Sequence, residues 1–141
     1  MNDFIPAVLS RHVEEAAFLW LLRDRAVDRP QYTLRELRDL DGRVEAHLDG
    51  LRVAGAAGVE RVFAEFAEHP EPGEAFASAV VAFELSDHVR IVELLDAAGE
   101  NWGLGRAVAS AIGWIPASTA EQVLPLLYNW GTPAARKIGI A

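Results

Sequence analysis

Apolar residues recur every three or four positions along two long segments at the start of the chain. This spacing predicts amphipathic helices, because residues three and four apart share the helix face that meets the core. The first helix is predicted to begin at Pro6, a favoured first-turn residue, and to end near Asp28, where Arg29 and Pro30 interrupt it. Its predicted core positions are Leu9, Val13, Ala16, Ala17, Trp20 and Val27.

The second predicted helix has a well-marked start. Thr33 can cap the first turn, and Glu36, three residues later, can reach back to it, which is a capping box. Gly42 lies inside this helix, where glycine costs about 1 kcal/mol relative to alanine, and it is interpreted as a close-packing position or a kink. The predicted apolar stripe is Leu34, Leu37, Val44, Leu48 and Leu51, with Leu40 beside it.

Shorter helical segments follow, and they repeat. The segment GEAFASAVVAFEL at 73–85 aligns with GLGRAVASAIGWI at 103–115, and RIVELL at 90–95 aligns with QVLPLL at 122–127, at offsets of 30 and 32. Helical pairs at this interval are typical of an α-solenoid, because one pair cannot bury its apolar face alone. A third, incomplete copy occupies residues 132–141, so the solenoid is expected to be truncated there. The predicted N-caps are Asp87, Ser118 and Thr132.

Two groups of segments resemble known proteins. GRAVASAIGW (105–114) and TPAARKIGIA (132–141) resemble HEAT-like repeats of the phycobilisome-lyase type. HVEEAAFLWLLRD (12–24), followed by YTLRELRDLDGRVEAHLDGLRVAG (32–55), resembles a bacterial family of HEAT-repeat proteins of unknown function, often encoded among type VI secretion genes. The resemblance implies an architecture and a context, and it supplies no catalytic residues.

These observations predict an all-α fold with one helical-repeat domain over residues 1–141. An N-terminal hairpin of long helices is expected at 1–54, a connecting helix at 55–72, and a HEAT-like α-α superhelix at 73–141 whose last repeat is incomplete. Members of the similar family are longer than this chain, which agrees with an open C-terminal end.

Composition narrows the chemistry. The chain of 141 residues has no cysteine, which excludes disulfides, thiolate catalysis and cysteine-ligated metals and fits a cytoplasmic location. Its net charge of −8 disfavours a nucleic-acid partner, since phosphate neutralisation needs the opposite sign. No signal peptide or membrane segment is predicted, because the longest apolar run, Ala16 to Leu22, is too short to span a bilayer.

The histidines are candidate metal ligands. His12 lacks the second histidine of a helical zinc motif, because Ala16 stands four residues later. Glu15, three residues after His12, can share its helix face or pair with Arg11, so a helix-face ion pair or a cap interaction is expected. His47 is expected to be a packed or surface side chain. The sequence therefore predicts no catalytic residue, no cofactor and no metal ligand.

The apolar run and the tryptophans are the candidate partner contacts, since aromatic residues are enriched in binding hot spots. The alternative for the tryptophans is that they fill gaps between stacked repeats. The function predicted is a non-enzymatic protein-binding module, an adaptor or chaperone-like accessory of a type VI secretion system. The alternatives are an immunity protein capping a secreted toxin and, less favoured, a HEAT-like lyase or glycosylase. Self-association through an exposed apolar helix or the open repeat end is a further expectation. The candidate contacts are Phe18, Leu21, Leu22, Trp102, Trp114 and Trp130.

Overall fold

A computed structural model describes residues 4–99 and 101–128. This part of the chain contains seven α-helices and no strand, so the all-α prediction is confirmed. A short 3₁₀ turn, Ile112–Trp114, joins the last two helices. The helices are α1 (Phe4–Ala26), α2 (Leu34–Val53), α3 (Ala56–Glu68), α4 (Pro72–Glu84), α5 (His88–Ala98), α6 (Trp102–Ala111) and α7 (Ala117–Tyr128).

Side-chain caps set the start of several helices. The Glu36 N–H donates to Thr33 Oγ1 at 3.1 Å and the Thr33 N–H donates to Glu36 Oε2 at 3.0 Å, which confirms the capping box of α2. Asp87 caps α5 as predicted, and Asn101 caps α6 in the same way. Such caps satisfy backbone donors that have no partner within the helix.

Two predicted caps have other outcomes. Ser118 does not cap α7, because the helix already begins at Ala117 and the Pro116 carbonyl accepts the first helical bond, from the Ala120 N–H at 3.0 Å. Thr132 lies outside the described residues.

Helices α1 and α2 lie antiparallel and bury the expected faces against each other. Val13 and Ala16 of α1 and Val44, Leu48 and Leu51 of α2 are fully buried. The prediction that Val27 and Leu34 lie in the core is wrong, since they are 48% and 76% exposed. Val27 follows the last residue of α1 and Leu34 is the first of α2, so both lie at the end of the hairpin where the chain turns.

Gly42 was predicted to mark close packing or a kink in α2. A Cβ atom added at Gly42 would meet no atom within 4 Å, so the close-packing interpretation is wrong. Helix α2 runs without a break from Leu34 to Val53.

Helix α4 lies in the middle of the described structure. Nearly all its residues from Gly73 to Phe83 are buried, and it packs chiefly against α1, α3, α5 and α6. Its N-terminus approaches α1 closely, since a Cβ at Gly73 would lie 2.7 Å from the Ala17 carbonyl oxygen. Alanine and valine supply most of the remaining surface of α4, which lets several helices approach one axis.

The segments of the first predicted repeat form α4 and α5, which pack together, whereas those of the second form α6 and α7, which are not in substantial contact with each other. Their first helices, α4 and α6, pack side by side along much of their length. Their second helices, α5 and α7, are not in substantial contact. The described residues therefore form an all-α assembly around α4, and the third copy, residues 132–141, lies outside them. None of these helices combines the length and the apolar character that crossing a bilayer requires.

Candidate functional site

Phe18 is the most exposed residue of the apolar run on α1. Its side chain is 62% exposed, whereas Ala17 and Leu19 on either side are buried. Leu21 and Leu22, one turn further along, are half-buried and pack against the core. Helices α2, α3 and α4 cover α1 on the remaining sides, which leaves a strip of apolar surface centred on Phe18.

The tryptophans divide between the core and the surface. Trp20 is buried, stacks on Phe76 with ring centroids 5.1 Å apart, and donates from Nε1 to Ser110 Oγ at 3.1 Å. Trp114 is half-buried and meets the other side of Phe76 edge-on at 5.6 Å. Both therefore join α4 to neighbouring helices, as the gap-filling alternative expects.

Trp102 differs from these two. It is the first residue of α6 and is 71% exposed. Of the tryptophans in the described residues, it is the one whose ring is presented to solvent. Trp130 lies outside the described residues.

An open cleft of about 560 Å³ lies between α2, the C-terminal end of α4 and the connection from α6 to α7. Trp114 forms part of its wall, and a half-buried arginine, Arg52, lies beside it. The remaining lining residues are Glu45, Glu84, Gly113, Ile115, Pro116 and Thr119.

Arg52 holds three carboxylates together in this cleft. Its Nε and Nη2 donate to the two oxygens of Glu84 at 2.7 and 2.8 Å, a bidentate pair that links α2 to α4. Its Nη1 donates to Asp49 at 2.7 Å and also to Glu45. Burial lowers the pKa of Arg52, but the hydrogen bonds to Glu84, Asp49 and Glu45 outweigh it and raise the pKa above its usual range. The guanidinium therefore stays charged, and the cluster carries a surplus of negative charge.

The spacing of residues in the sequence indicates the α2 part of this cluster but not Glu84. Glu45, Asp49 and Arg52 are spaced four and three residues apart, so they share one face of α2. No sequence motif marks Arg52 as the common partner of Glu45 and Asp49. Glu84 is 32 residues from Arg52 and joins the cluster only through the packing of α4.

His12 and His47 form a second polar contact between helices. Their Nδ1 atoms lie 3.1 Å apart, and one ring donates to the other across the α1–α2 interface. The expected ion pair of Arg11 with Glu15 is absent from the described residues, where Arg11 is exposed. The pKa of His47 is lowered by burial, then by His12 and Arg43, while Glu15 acts in the opposite direction.

A third group lies at the end of α3. The ligand atoms of Glu65, Glu68 and His69 lie within 4.8 Å of one another, a spacing that a metal ion accepts. Glu74, at the start of α4, has one buried carboxylate oxygen without a hydrogen-bond partner among the described residues. Burial, followed by the charges of Glu71 and Glu65, raises the pKa of Glu74.

Comparisons with known protein families, with curated proteins and with solved structures found no match. The resemblance to HEAT-repeat proteins of type VI secretion clusters thus rests on the sequence segments that carry it.

Proposed function

We propose that this protein is a non-enzymatic binding module that docks a protein partner on the strip formed by Phe18, Leu21 and Leu22. The exposure of Phe18 carries the proposal. A phenylalanine is usually buried when its helix is packed on its other sides, and 62% of this side chain is exposed on a helix whose adjacent residues are in the core. An aromatic anchor framed by half-buried leucines has the character of an interface hot spot.

The resemblance favours an adaptor or chaperone-like accessory of a type VI secretion system, acting in the cytoplasm. A HEAT-like superhelix is part of this proposal. The packing of α4 on α6 supports it, because the first helices of successive repeats stack in such folds.

The test is co-expression of the tagged chain with the products of neighbouring genes, followed by affinity purification and measurement of the dissociation constant. Phe18→Ser is expected to weaken the complex about 30-fold or more, which corresponds to about 2 kcal/mol at a hot spot. Val53→Ser is the matched control, since Val53 is an apolar residue on α2 with 88% exposure. Equal affinities for the two variants, or no stable complex with any neighbouring product, would contradict the proposal.

The same experiment separates the adaptor from an immunity protein. The net charge of −8 favours association with a cationic toxin through electrostatic steering. An immunity protein rescues growth when the neighbouring effector is expressed, whereas an adaptor alters secretion and leaves survival unchanged. If the occupant is a second copy of the chain, the molar mass in solution doubles and Phe18→Ser restores the monomer.

A further inference from the structure

The imidazole rings of His12 and His47 face each other at the edge of the α1–α2 hairpin. Their centroids lie 5.3 Å apart, their planes are inclined at 54°, and the two Nδ1 atoms are separated by 3.1 Å. Both side chains are half-buried, so the nitrogens are held by the fold and remain within reach of solvent.

The absence of a side chain at Gly50 leaves the space that the His12 ring occupies. A Cβ added at Gly50 would lie 2.6 Å from His12 Cδ2 and Nε2, so the imidazole occupies the space that any other residue would fill. With its Nε2 edge against Gly50 on α2, the ring directs Nδ1 toward His47. The packing thus fixes one of the two nitrogens before any ligand arrives.

A separation of 3.1 Å suits two ligands of one ion. If an ion lay about 2.1 Å from each nitrogen, the usual distance between zinc and imidazole, the nitrogen–ion–nitrogen angle would be about 95°. That angle lies in the range for neighbouring ligands in tetrahedral and octahedral complexes. Metal binding requires the neutral form of each imidazole, with a free lone pair on the ligating nitrogen.

Two charged residues act on this position. Glu15 of α1 has a favourable electrostatic interaction with a positive charge at His47, and Arg43 of α2 has an unfavourable one. Arg43 is exposed and can turn its guanidinium into solvent, so its opposition is weaker than that of a buried cation.

We propose that His12 and His47 chelate a first-row transition ion, with Zn²⁺ as the reference case, through their two Nδ1 atoms. Water fills the remaining positions. In the hydrogen-bonded pair one ring carries its proton on Nδ1; on binding, that proton moves through solvent to Nε2 of the same ring, and no net proton is released. Two protein ligands give an exchangeable site that fastens α1 to α2, separate from the partner surface at Phe18.

The test is thermal unfolding of the chain with and without Zn²⁺, using Mg²⁺ as the control ion because it avoids imidazole. Free Zn²⁺ at ten times its dissociation constant is expected to raise the Tm by about 4 °C. His12→Gln and His47→Gln should each abolish the shift, and His88→Gln, which alters an exposed histidine on α5, should retain it.

An NMR spectrum of the imidazole nitrogens keeps the proposal testable if a variant fails to fold. In the unaltered chain, Zn²⁺ should move the Nδ1 resonances of His12 and His47. Movement of the His69 resonances alone, with a Tm shift that His69→Gln removes, would place the ion on the Glu65, Glu68 and His69 group and overturn the proposal. No response to Zn²⁺ would mean that the two rings form a hydrogen-bonded pair only.

Discussion

The contact between Gly73 and α1 gives a substitution whose effect can be worked out from distances. A Cβ at Gly73 would lie 2.7 Å from the Ala17 carbonyl oxygen and 2.9 Å from the Ala17 Cβ. Neither atom can rotate away, because one belongs to the backbone of α1 and the other is attached directly to it. Gly73→Ala must therefore push α1 and α4 apart. Overpacking of this kind costs about 1–3 kcal/mol, and the better helix propensity of alanine returns up to about 1 kcal/mol.

The net loss of about 1–2 kcal/mol corresponds to a Tm lower by about 3–6 °C for a domain of this size. Thermal unfolding followed by circular dichroism measures it. Gly42→Ala is the control with the opposite sign, since its added Cβ meets nothing within 4 Å and the gain in helix propensity should raise the Tm by about 3 °C. A Gly73→Ala variant at or above the stability of the original chain would refute the close approach of the two helices.

Three further substitutions test polar groups of the fold. Trp20→Phe and Ser110→Ala each remove the hydrogen bond between α1 and α6, and each should lower the free energy of unfolding by about 1 kcal/mol; the double variant should lose less than the sum in urea unfolding. Glu74→Gln should stabilise the fold near pH 7. Because the folded-state pKa of Glu74 is raised, the native chain binds more protons than the unfolded chain, and stability falls as pH rises through that pKa. The advantage of glutamine should thus vanish below about pH 4 in a pH series of unfolding curves, and an advantage that persists there would implicate something other than charge.

The helices could be predicted because their signals are local. The Thr33–Glu36 box and the apolar period of α2 act within one or two turns, so they specify the element without reference to the rest of the chain. The errors fall where tertiary packing decides. Val27 and Leu34 have the right spacing for the core, but the hairpin ends before it can cover them.

The arrangement of the shorter helices is harder to predict from the sequence. Similar segments at offsets of 30 and 32 predicted stacked pairs, and α4 does pack against α6. Whether second helices also stack depends on crossing angles, which side-chain spacing alone does not determine. For the same reason the sequence did not identify α4 as the element at the centre of the described fold.

The candidate site shows the same division. The run Ala16–Leu22 places apolar side chains all round α1. Packing against three helices buries most of them and leaves Phe18 exposed. The contact between His12 and His47 joins residues 35 apart, and it depends on the register of α1 against α2 and on the space at Gly50. No motif within one helix carries that information.

The polar contacts between helices bear on whether the proposed binding at Phe18 can be separated from stability. Three polar contacts join α1 to α2 and α6: Arg23 pairs with Asp41 at 2.7 Å, Asp24 accepts from Arg106 at 2.9 Å, and Trp20 donates to Ser110 at 3.1 Å. The proposed docking residues Phe18, Leu21 and Leu22 take part in none of these contacts. Exposed ion pairs of this kind contribute little individually, whereas the buried residues around α4 supply most of the apolar stabilisation. Replacing Phe18 by serine removes the proposed anchor for a partner and leaves both the ion pairs and the buried apolar residues in place. A loss of binding at unchanged Tm therefore distinguishes a docking residue from a core residue.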